Sequence, residues 1–263
     1  MLIFNADDYG VTELDVERIL VSLDWGVIRS TTIAPNLVEE RHLDALKTKS
    51  GSYGIHINLV EGPALSTAGS LVDGAGRLLD KKALVLRLLA RRVDQKDIER
   101  EIAMQFERLL DCHVPISHID SHQNMHFLPQ IVRAIVKVAD RFSVRKIRPL
   151  DAEYFWFNNS YSNTKILAKK AVIRAFIGRS LGNMMSPDAV VLNAPGLGFS
   201  VTSLDEALAL WDRALGRNYD PAKVYEVPCH MDLSDSEFQL YNSAEFKSLL
   251  QRHEVRIGDF NGI

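Results

Sequence analysis

Cysteine is scarce in this chain. Cys112 and Cys229 are the two among 263 residues; they lie far apart and outside any C-x-x-C spacing, so neither a disulfide framework nor a thiolate metal site is expected. Long apolar runs are missing as well. No uncharged apolar stretch approaches the roughly 18 residues that read as a membrane-spanning helix. Met1-Leu2-Ile3-Phe4-Asn5-Ala6-Asp7-Asp8 carries two acids where a secretion signal needs a basic start and a longer apolar run. A cytoplasmic protein that stays out of the membrane is the expectation. Positive charge is not in excess either: 31 Lys plus Arg against 34 Asp plus Glu leave a net charge of −3. Arg91-Arg92 is followed at once by Asp94 and Asp97, so nothing matches a phosphate backbone, and nucleic acid is not an expected partner. Low-complexity tracts, fixed-period repeats and Pro/Gly/Ser-rich linkers are absent, which favours one domain over residues 1–263.

What is present is the balance of an ordinary globular protein, 46% hydrophobic and 25% charged. Short β-rich apolar runs alternate with helical periods along the chain, the pattern of βα units around a mostly parallel sheet or barrel. Strands are predicted near 2–5, 27–34, 53–59, 116–120, 145–148, 189–193, 223–227 and 255–257, which makes seven or eight. Helices are predicted near 13–25, 38–47, 81–92, 95–111, after Pro129, and near 164–179, 203–215 and 243–252, with Asp94 as an N-cap. Residues 60–80 and 150–200 are the irregular parts, where a substrate-facing wall is expected.

Ligands of parallel βα folds bind at the carboxyl ends of the strands. Reactive side chains collect there: Asp7 and Asp8 after the first strand, His56 in the third, Asp120 and His122 after the fourth, Arg148 closing the fifth, and His230 after the run ending near Val227. Neighbouring strand residues point to opposite faces, so Asp7 and Asp8 share a site only where the strand gives way to irregular backbone, which Gly10 supports. One carboxylate could then ligate a divalent cation while the other stays free as a base; the plain alternative is a solvated turn or a helix N-cap. Four of the eight histidines fall between His113 and His126. His122 and His126 stand four apart, a spacing that faces both the same way if a helical turn begins there, and imidazole suits zinc and related metals. His118 and His113 are read as a core and a surface histidine. Two histidines and one carboxylate would leave coordination positions open, the mark of a catalytic rather than a structural site. Arg148 could hold the free carboxylate ionised or lie on the surface.

With Asn5-Ala6-Asp7-Asp8-Tyr9-Gly10, Gly26-Val27-Ile28-Arg29-Ser30-Thr31-Thr32, Gly54-Ile55-His56-Ile57-Asn58-Leu59, Glu61-Gly62, His118-Ile119-Asp120-Ser121-His122 through His126, and Val227-Pro228-Cys229-His230, the sequence resembles the YdjC-like family of carbohydrate deacetylases, which includes the chitooligosaccharide deacetylases. The resemblance implies an irregular (β/α) barrel of the polysaccharide-deacetylase kind. It also implies one divalent ion, Mg2+ or Zn2+, held by Asp8, His56 and His122, with Asp7 as general base; Arg148 and Asp120, placed at the same strand ends, are read as supporting residues. Family members commonly carry another histidine where Asn124 stands and Pro-Gly where Met231-Asp232 follows His230, so His230 and His126 both stand as candidates for the general acid. The implied reaction is metal-dependent release of acetate from an N-acetylated sugar or oligosaccharide. Tyr154 and Trp156, with Phe155 and Phe157, are candidates for stacking on the sugar or for apolar packing. A homodimer is a family-level expectation. Two rival readings are a metal-dependent phosphoesterase, which would want a second metal or more basic groups, and a carbohydrate-binding protein without turnover.

Overall fold

Strand β1, Leu2–Tyr9, is buried along nearly its whole length, as a strand covered on both faces must be. Around it the computed structural model describes residues 1–148, 189–191, 203–231 and 235–263, with residues 189–191 described for their backbone alone. β2 (Ser30–Ile33), β3 (Ser52–Ile57), β4 (Ile119–Ser121), β5 (Ala189–Val191) and β6 (Val224–Cys229) complete a sheet in the order β4-β3-β2-β1-β6-β5. Every adjacent pair is parallel. The helices are α1 (Glu13–Trp25), α2 (Glu40–Lys47), α3 (Lys81–Leu89), α4 (Gln95–Asp111), α5 (Pro129–Arg141), α6 (Leu204–Asn218), α7 (Asp235–Tyr241) and α8 (Ala244–Arg252). None is long and apolar enough to cross a membrane.

The α/β class with a parallel sheet stands, but the strand count is corrected. Among the described residues six strands pair in the sheet, with β4 and β5 as its edges. The runs expected at 145–148 and 255–257 reach only single bridges, Ile119 with Ile147 and Leu2 with Ile257. The helix expected near 164–179 lies outside the described residues.

The two faces of the sheet differ in chemistry. Phe4 points outward into an aromatic cluster, with ring centroids 5.7 Å from Trp211, 5.6 Å from Tyr241 and 5.9 Å from Phe246; this burial docks α6, α7 and α8 against β1. The alternate residues form a polar inner layer. Asn5 Oδ1 accepts from Ser30 Oγ at 2.6 Å and from His118 Nε2 at 3.0 Å, and Ser52 Oγ donates to Ser30 Oγ at 3.0 Å. His118 also stacks on Phe260 with centroids 3.7 Å apart, which makes it the core histidine the sequence suggests. A Cβ at Gly54 would lie 2.5 Å from the His118 ring and 2.6 Å from the Thr32 methyl, so the layer closes only over a glycine. Fully hydrogen-bonded, such a layer avoids the cost of buried unsatisfied groups and fixes where the next residues along each strand must stand.

Candidate active site

One step along the strands from that layer, β1 breaks register between Ala6 and Tyr9. Asp8 there has φ 70, in the left-handed region that residues other than glycine seldom adopt. The strand does not end at Asn5 as expected; it bulges, and the bulge turns both Asp7 and Asp8 toward one pocket. That pocket is open, about 420 Å³, and Asp7, Asp8, His56, Glu61, His122 and His230 are among the residues that line it.

Asp8 Oδ1 lies 3.0 Å from His56 Nε2 and 2.8 Å from His122 Nδ1. The remaining nitrogen of each ring meets another carboxylate. His56 Nδ1 is 2.6 Å from Asp120 Oδ1, and His122 Nε2 is 3.1 Å from Glu61 Oε2. Thr32 Oγ1 donates to Asp120 Oδ2 at 2.9 Å, which fixes the carboxylate behind His56. Burial works against charge on Asp8, yet the positive charge of His56 and hydrogen bonds from both rings hold its carboxyl well below the usual range. Burial likewise lowers His56, but Asp120 and Asp8 overcome it and hold the ring well above its ordinary value.

Asp7 is held differently. Arg148 donates NH1 to Asp7 Oδ2 and NH2 to Asp7 Oδ1, both at 2.7 Å, and Asn5 Nδ2 donates to Oδ1 at 2.8 Å. His230 Nε2 stands 3.7 Å from Asp7 Oδ2 on the pocket side. Burial again opposes ionisation, but the Arg148 guanidinium holds Asp7 well below the usual carboxylate range. Arg148 is itself buried and also reaches Asp120 Oδ2 at 2.8 Å and Glu226 Oε1 at 2.6 Å. Three acids thus surround one cation. Burial pushes Glu226 up to about 7; Arg148 opposes this, and the charges of Asp7 and Asp120 add to it.

Whether the donors fit a metal ion can be judged from the ligand atoms. Asp8, His56 and His122 each offer one, all within 4.8 Å of one another. His56 Nε2 is buried, with Asp8 Oδ1 3.0 Å away. An N,N,O set with a carboxylate behind each imidazole is what an open divalent-metal site uses, so the residues fit.

Over residues 1–257 the sequence matches the profile of the family described as YdjC-like protein. The chain belongs to the YdjC-like family. It is 34% identical over 157 residues to a carbohydrate deacetylase of Listeria monocytogenes serotype 4a (strain HCC23), a stretch covering 59% of this chain and 63% of that protein. It is 33% identical over 147 residues to a chitooligosaccharide deacetylase of Yersinia enterocolitica serotype O:8, covering 55% of this chain and 57% of that one. The YdjC-like chain therefore matches less than two thirds of the length of these relatives. Its fold is similar to that of an Enterococcus faecalis V583 protein named for cellobiose-phosphate cleavage, with TM-score 0.73 and 18% identity over 99% of this chain and 97% of that one. A Streptococcus mutans CE4 esterase is similar at TM-score 0.54 and 12% identity over 98% and 85%. Both likenesses concern the fold.

Of the residues singled out in the YdjC-like sequence, the structure brings Asp7, Asp8, His56, His122 and His230 to the pocket and sets Asp120 and Arg148 directly behind them. It does not bring His126 there. The turn after β4, His122–Phe127, contains Gln123 and Asn124 in left-handed conformations, φ 52 and 57, so the four-residue spacing from His122 does not place both rings on one helical face. His126 is buried, with Nδ1 2.5 Å from Ser121 Oγ. Tyr154 and Trp156 lie outside the described residues. Glu226 and Glu61 were not anticipated as site residues. An acid inside the otherwise apolar run Val224–Cys229 is the signal that could have found the first; the second stands in a loop without periodicity, and its signal was its place in Glu61-Gly62, one of the segments that carry the family resemblance.

Proposed function

We propose that this chain hydrolyses the N-acetyl group of an N-acetylated sugar or oligosaccharide, releasing acetate with the help of one divalent metal ion. The observation that carries the reading is the pairing of an open Asp8, His56, His122 donor set with a second carboxylate, Asp7, that Arg148 keeps ionised in the same pocket. The names of the Listeria and Yersinia relatives support the substrate class.

A divalent ion held by Asp8, His56 and His122 would supply Lewis acidity and lower the pKa of water, to about 7 in favourable zinc sites. The residues supply the rest. Asp7, ionised and at the pocket wall, accepts a proton from the attacking water as its oxygen bonds to the acetyl carbon. Arg148 and Asn5 hold that carboxylate so that its Oδ2 faces the pocket. His230, about a third exposed at the pocket rim, gives a proton to the sugar nitrogen as the C–N bond breaks, so acetate and an amine leave. His126 has no place in this sequence, because it lies behind the pocket wall.

The test is acetate release from a panel of N-acetylated sugars that includes diacetylchitobiose, with chelator-stripped protein before and after adding Mg2+ or Zn2+, beside Asp7→Asn. Release that needs metal and is lost in Asp7→Asn is the expected result. Metal-loaded protein that frees acetate from no member of the panel would overturn the reading.

A further inference from the structure

Glu61 stands at the pocket edge with its side chain about half exposed, 48%, yet its backbone is held as tightly as a core residue. Asn58 Oδ1 accepts from Glu61 N at 3.1 Å and from Val60 N at 3.0 Å. Asn58 Nδ2 and Asn36 Nδ2 both donate to Glu61 O, at 2.9 and 2.8 Å. Asn58 is in turn fixed on both sides by Gln105, which accepts from Asn58 N at 3.0 Å and donates to Asn58 O at 2.6 Å. Asn36, Asn58 and Gln105 are all buried. Gly62 follows with φ 79, in the left-handed region that favours glycine, so the chain turns sharply right after Glu61. Burying three side-chain amides costs free energy unless every group is paired. A solvated acid with no task would need no such clamp.

The one group that this clamp delivers into the pocket is the Glu61 carboxylate, 3.1 Å from His122 Nε2. The two histidines face Asp8 through different nitrogens, His56 through Nε2 and His122 through Nδ1. His56 has Asp120 on its far nitrogen, and His122 has Glu61 on its own. We propose that Glu61 is the positioning residue of His122: it accepts the Nε2 proton, fixes the tautomer that leaves Nδ1 free, and thereby sets the affinity of the site for a divalent ion. The inference rests on the metal reading of Asp8, His56 and His122 given above. Carboxylates placed behind metal-binding imidazoles raise ligand basicity and hold the ring in orientation, and their loss typically weakens metal binding about 10–100-fold.

The experiment measures Mn2+ binding to chelator-stripped protein by electron paramagnetic resonance of the free ion, for wild type, Glu61→Gln, Glu61→Ala and Asp8→Ala. Gln keeps an oxygen that accepts from Nε2–H; Ala does not. Glu61→Ala is expected to weaken Mn2+ binding about 10-fold or more while Glu61→Gln stays within about 3-fold of wild type. The metal-free melting temperature of both should equal that of wild type. In the Zn2+-loaded wild type, proton–nitrogen correlation spectra should show the His122 proton on Nε2. Unchanged Mn2+ affinity in Glu61→Ala, or a His122 proton on Nδ1, would overturn the proposal. Equal large losses in the Gln and Ala variants would also overturn it, by making Glu61 a ligand. Asp8→Ala separates the two readings: if it binds Mn2+ as wild type does, the metal site itself is wrong; if it does not and Glu61→Ala does, only the role of Glu61 fails.

Discussion

Arg148 grips Asp7 through both terminal nitrogens at 2.7 Å while the same guanidinium reaches Asp120 and Glu226, so one side chain ties together β1, β4 and β6. Its own place is set by backbone: Arg148 N donates to Ile119 O at 2.8 Å beside the single bridge between Ile119 and Ile147. Without the guanidinium, three buried carboxylates face one another. Arg148→Met should therefore lose on the order of 3–5 kcal/mol of stability, the usual cost of breaking a buried ion pair from one side. Arg148→Lys keeps a charge but not the fork; it should fold, with acetate release reduced on the order of 100-fold by a misplaced Asp7. Denaturant titration of the first variant and turnover of the second check the two halves, and wild-type turnover in Arg148→Lys would refute the second.

The pH dependence of stability follows from the same cluster. Glu226, raised by burial from an ordinary 4.5 to about 7, binds more protons folded than unfolded between those values, so stability falls as pH rises through that window. The full loss attributable to Glu226 is roughly 3 kcal/mol. Asp7 has the opposite sign. Burial alone would raise it, Arg148 lowers it, and its contribution is present above 3.8 and lost as pH falls below. In chelator-treated protein the urea midpoint of wild type should drop more between pH 5 and pH 8 than that of Glu226→Gln. Parallel drops would show that Glu226 does not hold its proton.

Much of this arrangement was legible before the structure, because chemistry in a parallel sheet concentrates at strand ends and the strands announce themselves by apolar runs. Helices α1, α4 and α8 fall close to where their periodicity puts them, with Asp94 capping α4 as expected. What sequence periodicity cannot carry is backbone that departs from its own period. Asp8 is left-handed inside a strand, and Gln123 and Asn124 are left-handed inside what reads as a helical turn. The first departure unites Asp7 with Asp8, and the second separates His126 from His122. Helix α7, Asp235–Tyr241, escaped notice because seven residues are too few for a period to show.

Gly54 offers a test of the polar layer beneath the site. Its missing side chain is occupied by the His118 ring and the Thr32 methyl, at 2.5 and 2.6 Å from where a Cβ would stand. Thr32 in turn orients Asp120 behind His56. Gly54→Ala should cost about 1–3 kcal/mol, the range for overpacking a filled interior. The urea midpoint should fall with the slope unchanged, as a stability effect requires. An unchanged midpoint would mean that the layer gives way more easily than its closed hydrogen bonding implies.

Metal removal provides the remaining prediction, and its size can be stated beforehand. A ligand that binds only the folded chain stabilises it by about 2.7 kcal/mol at 100 times its dissociation constant. For a chain of this length each kcal/mol moves the melting temperature by about 2–4 °C, so saturating Zn2+ or Mn2+ should raise it by roughly 5–10 °C over chelator-treated protein. Asp8 contacts both histidines through a single oxygen, so a change there removes the atom that draws the donor set together. Asp8→Ala should consequently lose the metal-induced rise entirely. His126→Ala, altered behind the pocket wall beside Ser121, should keep it. Differential scanning calorimetry with and without metal reads both at once, and a full metal-induced rise in Asp8→Ala would remove Asp8 from the donor set.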